Sequence, residues 1–199
     1  SGAVTTFNTY TIVSENRIVA LPHGLPRDLA VLFGCALPTG AGIVINQIKP
    51  LKGTSIAFVG MGGIGLSGLM ATMAFKCKNI IAVDVSDEKL SLAKEFGATH
   101  TINSLKTNAK KEIYNITNEK GVDYSVDAGG SIETIELAFD LIKNNGGQCV
   151  FASHPQAGKK ISIDPFDLIS GKNIQGSWGG SCKPDEDVPL LTNLYKQGL

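Results

Sequence analysis

Cysteine is scarce in these 199 residues, neither sign of charge predominates, and aromatic residues make up only 7%. The four cysteines, Cys35, Cys77, Cys149 and Cys182, stand too far apart for a Cys-x-x-Cys pair or a zinc-ribbon spacing. That excludes a disulfide scaffold and points to a reducing, cytoplasmic setting. The 18 basic residues balance 18 acidic ones, so the footprint of a nucleic-acid or anionic-membrane binder is missing and a small molecule is the expected partner. No positively charged leader is evident in the opening SGAVTTFNTY. Two uncharged runs, 29–48 and 53–75, are long enough to cross a bilayer. The first is broken by Gly34, Pro38, Gly40 and Asn46, and the second by glycines from Gly60 onward, with no aromatic belt at either. Buried parallel strands also read as apolar runs, so no membrane span is expected.

What the chain does have is glycine, 23 of them, and a regular alternation of segments. Apolar, largely β-branched stretches at 55–60, 79–84, 99–103, 122–128, 148–153 and 173–178 read as six strands. Between them lie amphipathic segments with recognisable ends: Ser86 before Asp87 and Glu88, Gly97 after Phe96, and Asp164-Pro165 ahead of a short helix stopped at Gly171. Parallel neighbours need crossover helices, so this rhythm predicts an α/β fold with a doubly wound six-stranded parallel sheet of Rossmann type over 29–199. Residues 1–28 break the rhythm. TYTIV (9–13) and RIVAL (17–21) read as two strands of a different unit, turning at Ser14–Asn16 and closed by Pro22 and Pro26.

The stretch after the first strand, Gly60-Met61-Gly62-Gly63-Ile64-Gly65, matches G-x-G-x-x-G, with a helix following. Gly60 permits the tight turn, Gly62 lets the backbone approach a pyrophosphate, and Gly65 allows close helix–strand packing. The helix start offers free N–H groups and a positive dipole end to phosphates. Asp84 ends the second strand 19 residues past Gly65, placed to accept hydrogen bonds from adenosine ribose hydroxyls and to repel a 2′-phosphate. NAD is the expected cofactor. A glycine turn alone also fits a nucleotide-sensing domain or a methyltransferase. A short-chain dehydrogenase is excluded, because no tyrosine is followed four residues later by lysine.

These elements, together with Phe33-Gly34-Cys35-Ala36-Leu37-Pro38-Thr39-Gly40-Ala41-Gly42 upstream, resemble the medium-chain zinc alcohol dehydrogenases over essentially the whole chain. The resemblance implies a catalytic-zinc ligand at Cys35, a threonine near the nicotinamide at Thr39, the adenosine-ribose carboxylate at Asp84 and a ribose-contacting lysine at Lys89. It also implies that Ile64 packs on the nicotinamide, bordered by Ala152, Ser153 and the backbone near Trp178. His154 stands where an apolar residue is more usual. By itself Cys35, in an apolar run, reads as an ordinary core residue.

The family's remaining zinc ligands and proton relay lie upstream of this stretch. The resemblance therefore implies a cofactor-binding domain carrying a strip of catalytic domain (1–28), with zinc belonging to the intact protein rather than to this chain. The intact protein is expected to transfer hydride between an alcohol, or the matching aldehyde or ketone, and NAD. A zinc-free quinone reductase relative is the nearest enzymatic alternative. The resemblance also implies that the sixth strand, 173–178, is a sheet edge that pairs with a second copy; it carries Ile174 and Trp178 and no charge to blunt the edge.

Overall fold

Ser55–Val59 and Asn79–Asp84 are buried along their whole length, and they form strands β1 and β2 in the interior of a parallel sheet. The computed structural model describes residues 8–198 and adds β3 (His100–Asn103), β4 (Tyr124–Asp127), β5 (Gln148–Phe151) and β6 (Asn173–Gly176). All neighbours run parallel in the order β3-β2-β1-β4-β5-β6. This is the doubly wound sheet predicted from the alternation.

The helices are α1 (Arg27–Ala30), α2 (Ala36–Gly42, widening into a π-helical turn over Ile43–Ile48), α3 (Gly63–Thr72) and α4 (Asp87–Glu95). They continue with α5 (Ala109–Ile116), α6 (Ile132–Leu141), α7 (Pro165–Ile169) and α8 (Pro184–Lys196). Several start on a side-chain cap. Asn108 accepts the Lys111 N–H at 3.0 Å and Asp164 the Phe166 N–H at 2.9 Å, while Ser131 and Thr134 form a capping box. Gly97 follows α4 with φ +102°, the left-handed conformation that ends a helix cheaply only in glycine.

Alternation along the strands divides the core. Ile56, Phe58, Ile80 and Ala82 face one layer with α2, α3, α4 and α8, whereas Ala57, Val59, Ile81 and Val83 face the other with α5 and α6. Burying each large side chain contributes roughly 1.5–3 kcal/mol, so the two layers hold the sheet from both sides. The chain changes layers between β3 and β4. That places a crevice beyond the carboxyl ends of the adjacent strands β1 and β4.

The two β-strands predicted at 9–13 and 17–21 do not form. Among the described residues this stretch holds only a 3-10 turn at Glu15–Arg17, and Tyr10 and Ile12 lie almost fully exposed. A two-stranded hairpin is barely stable in water without a further strand or helix to cover it, and no described strand pairs with this stretch. The pattern at 29–48 hid a real helix. Pro38 falls in the first turn of α2, where it removes no intrahelical bond, and the glycines are there for contact. A Cβ on Gly40 would lie 2.0 Å from the Ile64 carbonyl oxygen, and one on Gly42 2.5 Å from that of Gly180. The Ser67 hydroxyl donates to the Ala36 and Ile64 carbonyls at 3.1 and 3.0 Å, tying α2 to α3. No single helix among the described residues is long and apolar enough to cross a membrane; 27–34 and 36–48 qualify only together, across a 59° bend.

Candidate functional site

The turn between β1 and α3 is built by exclusion. Gly60 has φ +94°, and a Cβ there would lie 2.7 Å from the backbone of Ala128 and Gly129. On Gly65 a Cβ would lie 1.9 Å from the Gly60 carbonyl oxygen. At Gly62 it would meet nothing within 4 Å, and no side chain caps the helix there. The first N–H groups of α3 thus stand at an open space beside Gly62, which suits a pyrophosphate, while a Cβ on Gly63 would meet that of Ala36 at 3.2 Å.

Asp84, at the end of β2, is only 7% exposed. Its Oδ2 accepts the Met61 N–H at 2.6 Å, and its Oδ1 accepts the Val85 and Ser86 N–H groups at 2.8 and 2.9 Å. The carboxylate therefore locks the glycine turn to the turn before α4. Three of its roughly four acceptor positions are taken, leaving room for a ribose hydroxyl. Lys89 lies exposed on the first turn of α4, its N–H donating to Ser86 Oγ at 3.4 Å. Beside it Asn103 donates to Asp87 at 2.7 Å, and Lys106 pairs with the same carboxylate; these bonds, that of Lys106 first, hold the Asp87 carboxyl below its ordinary value.

Beyond the glycine turn opens a cleft of about 800 Å³. It brings together Cys35, Thr39, Ile64, Ala152, Ser153, His154 and Trp178, residues from four separate stretches of the chain. Cys35 is exposed, while Thr39 is buried on the first turns of α2 with its N–H donating to the Cys35 carbonyl at 3.0 Å. The His154 and Trp178 rings meet edge to face with centroids 6.4 Å apart. Cys182, which carried no signal in the sequence, lines the same cleft. Burial, with the Asp187 carboxylate adding to it, pushes that thiol up to about 12.

Among the described residues no three His, Cys, Asp or Glu side chains come together in a way that could hold a metal ion. A stoichiometric zinc therefore does not fit the donors that the described residues offer, Cys35 included.

The family model for zinc-binding dehydrogenases matches residues 63–197. The chain belongs to that family. Its fold superposes on a benzyl alcohol dehydrogenase from Acinetobacter calcoaceticus with TM-score 0.93 and 36% identity, covering 98% of this chain and 54% of that one. An alcohol dehydrogenase zinc-binding domain protein from Burkholderia ambifaria gives 0.89 and 34%, covering 94% and 50%. A zinc-dependent alcohol dehydrogenase 2 from Streptococcus pneumonia gives 0.76 and 30%, covering 88% and 49%. The chain thus spans about half the length of these zinc-binding dehydrogenase relatives. Within the family's pattern, the buried hydrogen bonds of Asp84 are what the sequence did not announce, since backbone partners leave no trace in residue type.

Proposed function

We propose that this chain is the NAD-binding half of an alcohol dehydrogenase and that the intact protein moves hydride between an alcohol and NAD. The observation that carries the reading is the uncapped start of α3 opening at Gly62, with Asp84 fastened to the same turn. Bound NAD supplies the carbon that accepts or returns hydride. The α3 N–H groups bind the phosphates, and Asp84 takes a ribose hydroxyl through its remaining acceptor position. Ile64 and Trp178 wall the nicotinamide end of the cleft, while Thr39 and Ser153 offer hydroxyls for orientation. Cys35 contributes at most one thiolate, and a metal there needs donors from outside this chain. All four thiols are unpaired, which supports the reducing, cytoplasmic setting.

Titration of the purified chain, followed by quenching of Trp178 or by calorimetry, tests the reading. NADH is expected to bind, with NADPH at least ~10-fold weaker because its 2′-phosphate meets the Asp84 carboxylate. Alcohol-dependent NADH production is expected to stay at background. Equal NADPH affinity would overturn the ribose assignment, and turnover by the chain alone would overturn the half-site assignment.

We also propose that two copies join through β6. This strand pairs on one side only, with β5, and the neighbouring α7 leaves Phe166 and Ile169 exposed, as is Trp178. Ile174, assigned to that edge from the sequence, instead packs towards the core. Lys172 anchors α7 beneath, 3.3 Å from Asp167 and 5.2 Å from the centre of the Phe139 ring. Light scattering at micromolar concentration is expected to show a dimer that Ile169→Glu converts to monomer. A wild-type monomer, or a dimer indifferent to that substitution, would count against the edge.

A further inference from the structure

The mechanism above makes no use of Asp127, the last residue of β4, which is 0% exposed. Its Oδ1 accepts the Gly129 N–H at 3.1 Å, and its Oδ2 is buried without a hydrogen-bond partner. The Ser153 and Thr134 hydroxyls and the Ser153 N–H also lie close enough to favour the charged form, but burial outweighs them and raises the carboxyl above the ordinary aspartate value of 3.8. The other titratable group coupled to it is Cys149 on β5, pushed up to about 12, chiefly by burial. An acid kept in so costly a place asks for a reason beyond capping a loop, which serine does at less expense.

Its surroundings supply one. The segment 128–131 that follows Asp127 is the wall against which the Gly60 turn leans, where a Cβ on Gly60 would come to 2.7 Å. On its other side the Gly130 N–H donates to Ser153 Oγ at 2.7 Å, and the Ala152 N–H donates to the Asp127 carbonyl at 2.9 Å. Ser153 lines the cleft beside Ile64 and Trp178. Asp127 is thus the shared buried anchor of the glycine-turn wall and of the β5 end that floors the cleft.

We infer that Asp127 is a positioning residue for the nicotinamide half of the cofactor: its carboxyl holds the Gly129 N–H, which fixes the 128–131 wall and, through the next N–H of Gly130, the Ser153 hydroxyl at the cleft. The inference rests on the NAD reading. It separates two halves of one ligand: the wall behind the glycine turn serves both halves alike, whereas Ser153 at the cleft serves the nicotinamide half alone.

The test compares NADH with ADP-ribose, which lacks the nicotinamide, on the 199-residue chain. In Asp127→Ala, and in the smaller perturbation Asp127→Ser, the preference for NADH over ADP-ribose is expected to fall about tenfold, as for loss of a charge-assisted buried hydrogen bond, any loosening of the Gly60 turn being common to both ligands. Asp127→Asn keeps shape and acceptor and is expected to restore the preference to within about threefold. An unchanged preference in the alanine and serine variants, or a parallel loss of both ligands, overturns the inference and leaves Asp127 a structural cap. Wild-type protein that binds neither ligand overturns the NAD reading itself, and this inference with it.

Discussion

Asp84→Ala is expected to cost the chain about 2–4 kcal/mol of folding stability and most of its NADH affinity together, because the carboxylate accepts three backbone N–H groups besides facing the ribose. The Val85 and Ser86 N–H groups lie near the surface and regain water, but Met61 is buried and its N–H is left unpaired. The glycine turn loses its tie to β2, so the phosphate contacts loosen for NADH and NADPH alike. NADH loses its ribose hydrogen bond in addition, whereas NADPH is relieved of the facing charge, so the gap between the two cofactors is expected to narrow. Urea denaturation and paired titrations of both cofactors check this. An unchanged unfolding midpoint with NADPH binding gained would show that Asp84 acts on the ribose alone.

Two glycines of the same turn are expected to fail in opposite ways when changed to alanine. Gly65→Ala drives a Cβ to 1.9 Å from the Gly60 carbonyl oxygen and 2.9 Å from Met61 Cε. The methionine tip can move aside, but the carbonyl cannot unless α3 parts from β1, so a loss of about 3 kcal/mol or more is expected before any ligand is added. Gly62→Ala meets open space at an ordinary φ of −81°, so stability should change by roughly 1 kcal/mol at most, the difference between glycine and alanine at a helix cap. Its methyl group fills the space offered to the pyrophosphate, and NADH affinity should fall at least ~10-fold. Thermal melts of both variants with and without NADH separate the two outcomes. A stable Gly65→Ala, or a Gly62→Ala that binds normally, would contradict this account of the turn.

The sheet and the cofactor turn were legible because their signals are local. NIIAVD is a strand buried on both faces, Ser86 and Gly97 bracket α4, and glycines flanked by strand and helix carry the turn. The N-terminal strands misled because alternating Thr, Tyr, Ile and Val record a preference for extended backbone but do not supply the neighbour that makes a strand. Helix α2 was missed for the converse reason. Its Pro, Thr and Gly are poor helix formers in isolation, and they are present because the helix passes within contact of the α3 backbone and of Gly180. The site divides along the same line. Gly62 and Asp84 follow from a spacing, whereas Cys182 in the cleft wall and the buried partners of Asp127 depend on segments brought together only by folding.

The close passage of α2 over α3 also decides what can move. Backbone meets backbone at Gly40 and Ile64, and Ser67 bonds across the joint, so no flexible side chain lies between the helices to absorb a slide. The thiol of Cys35 sits immediately before α2, and the phosphate turn immediately before α3. The two are therefore fixed points of one rigid piece. Their spacing is set by the α2–α3 joint itself, and a substitution that parted the two helices would shift the thiol and the turn relative to one another.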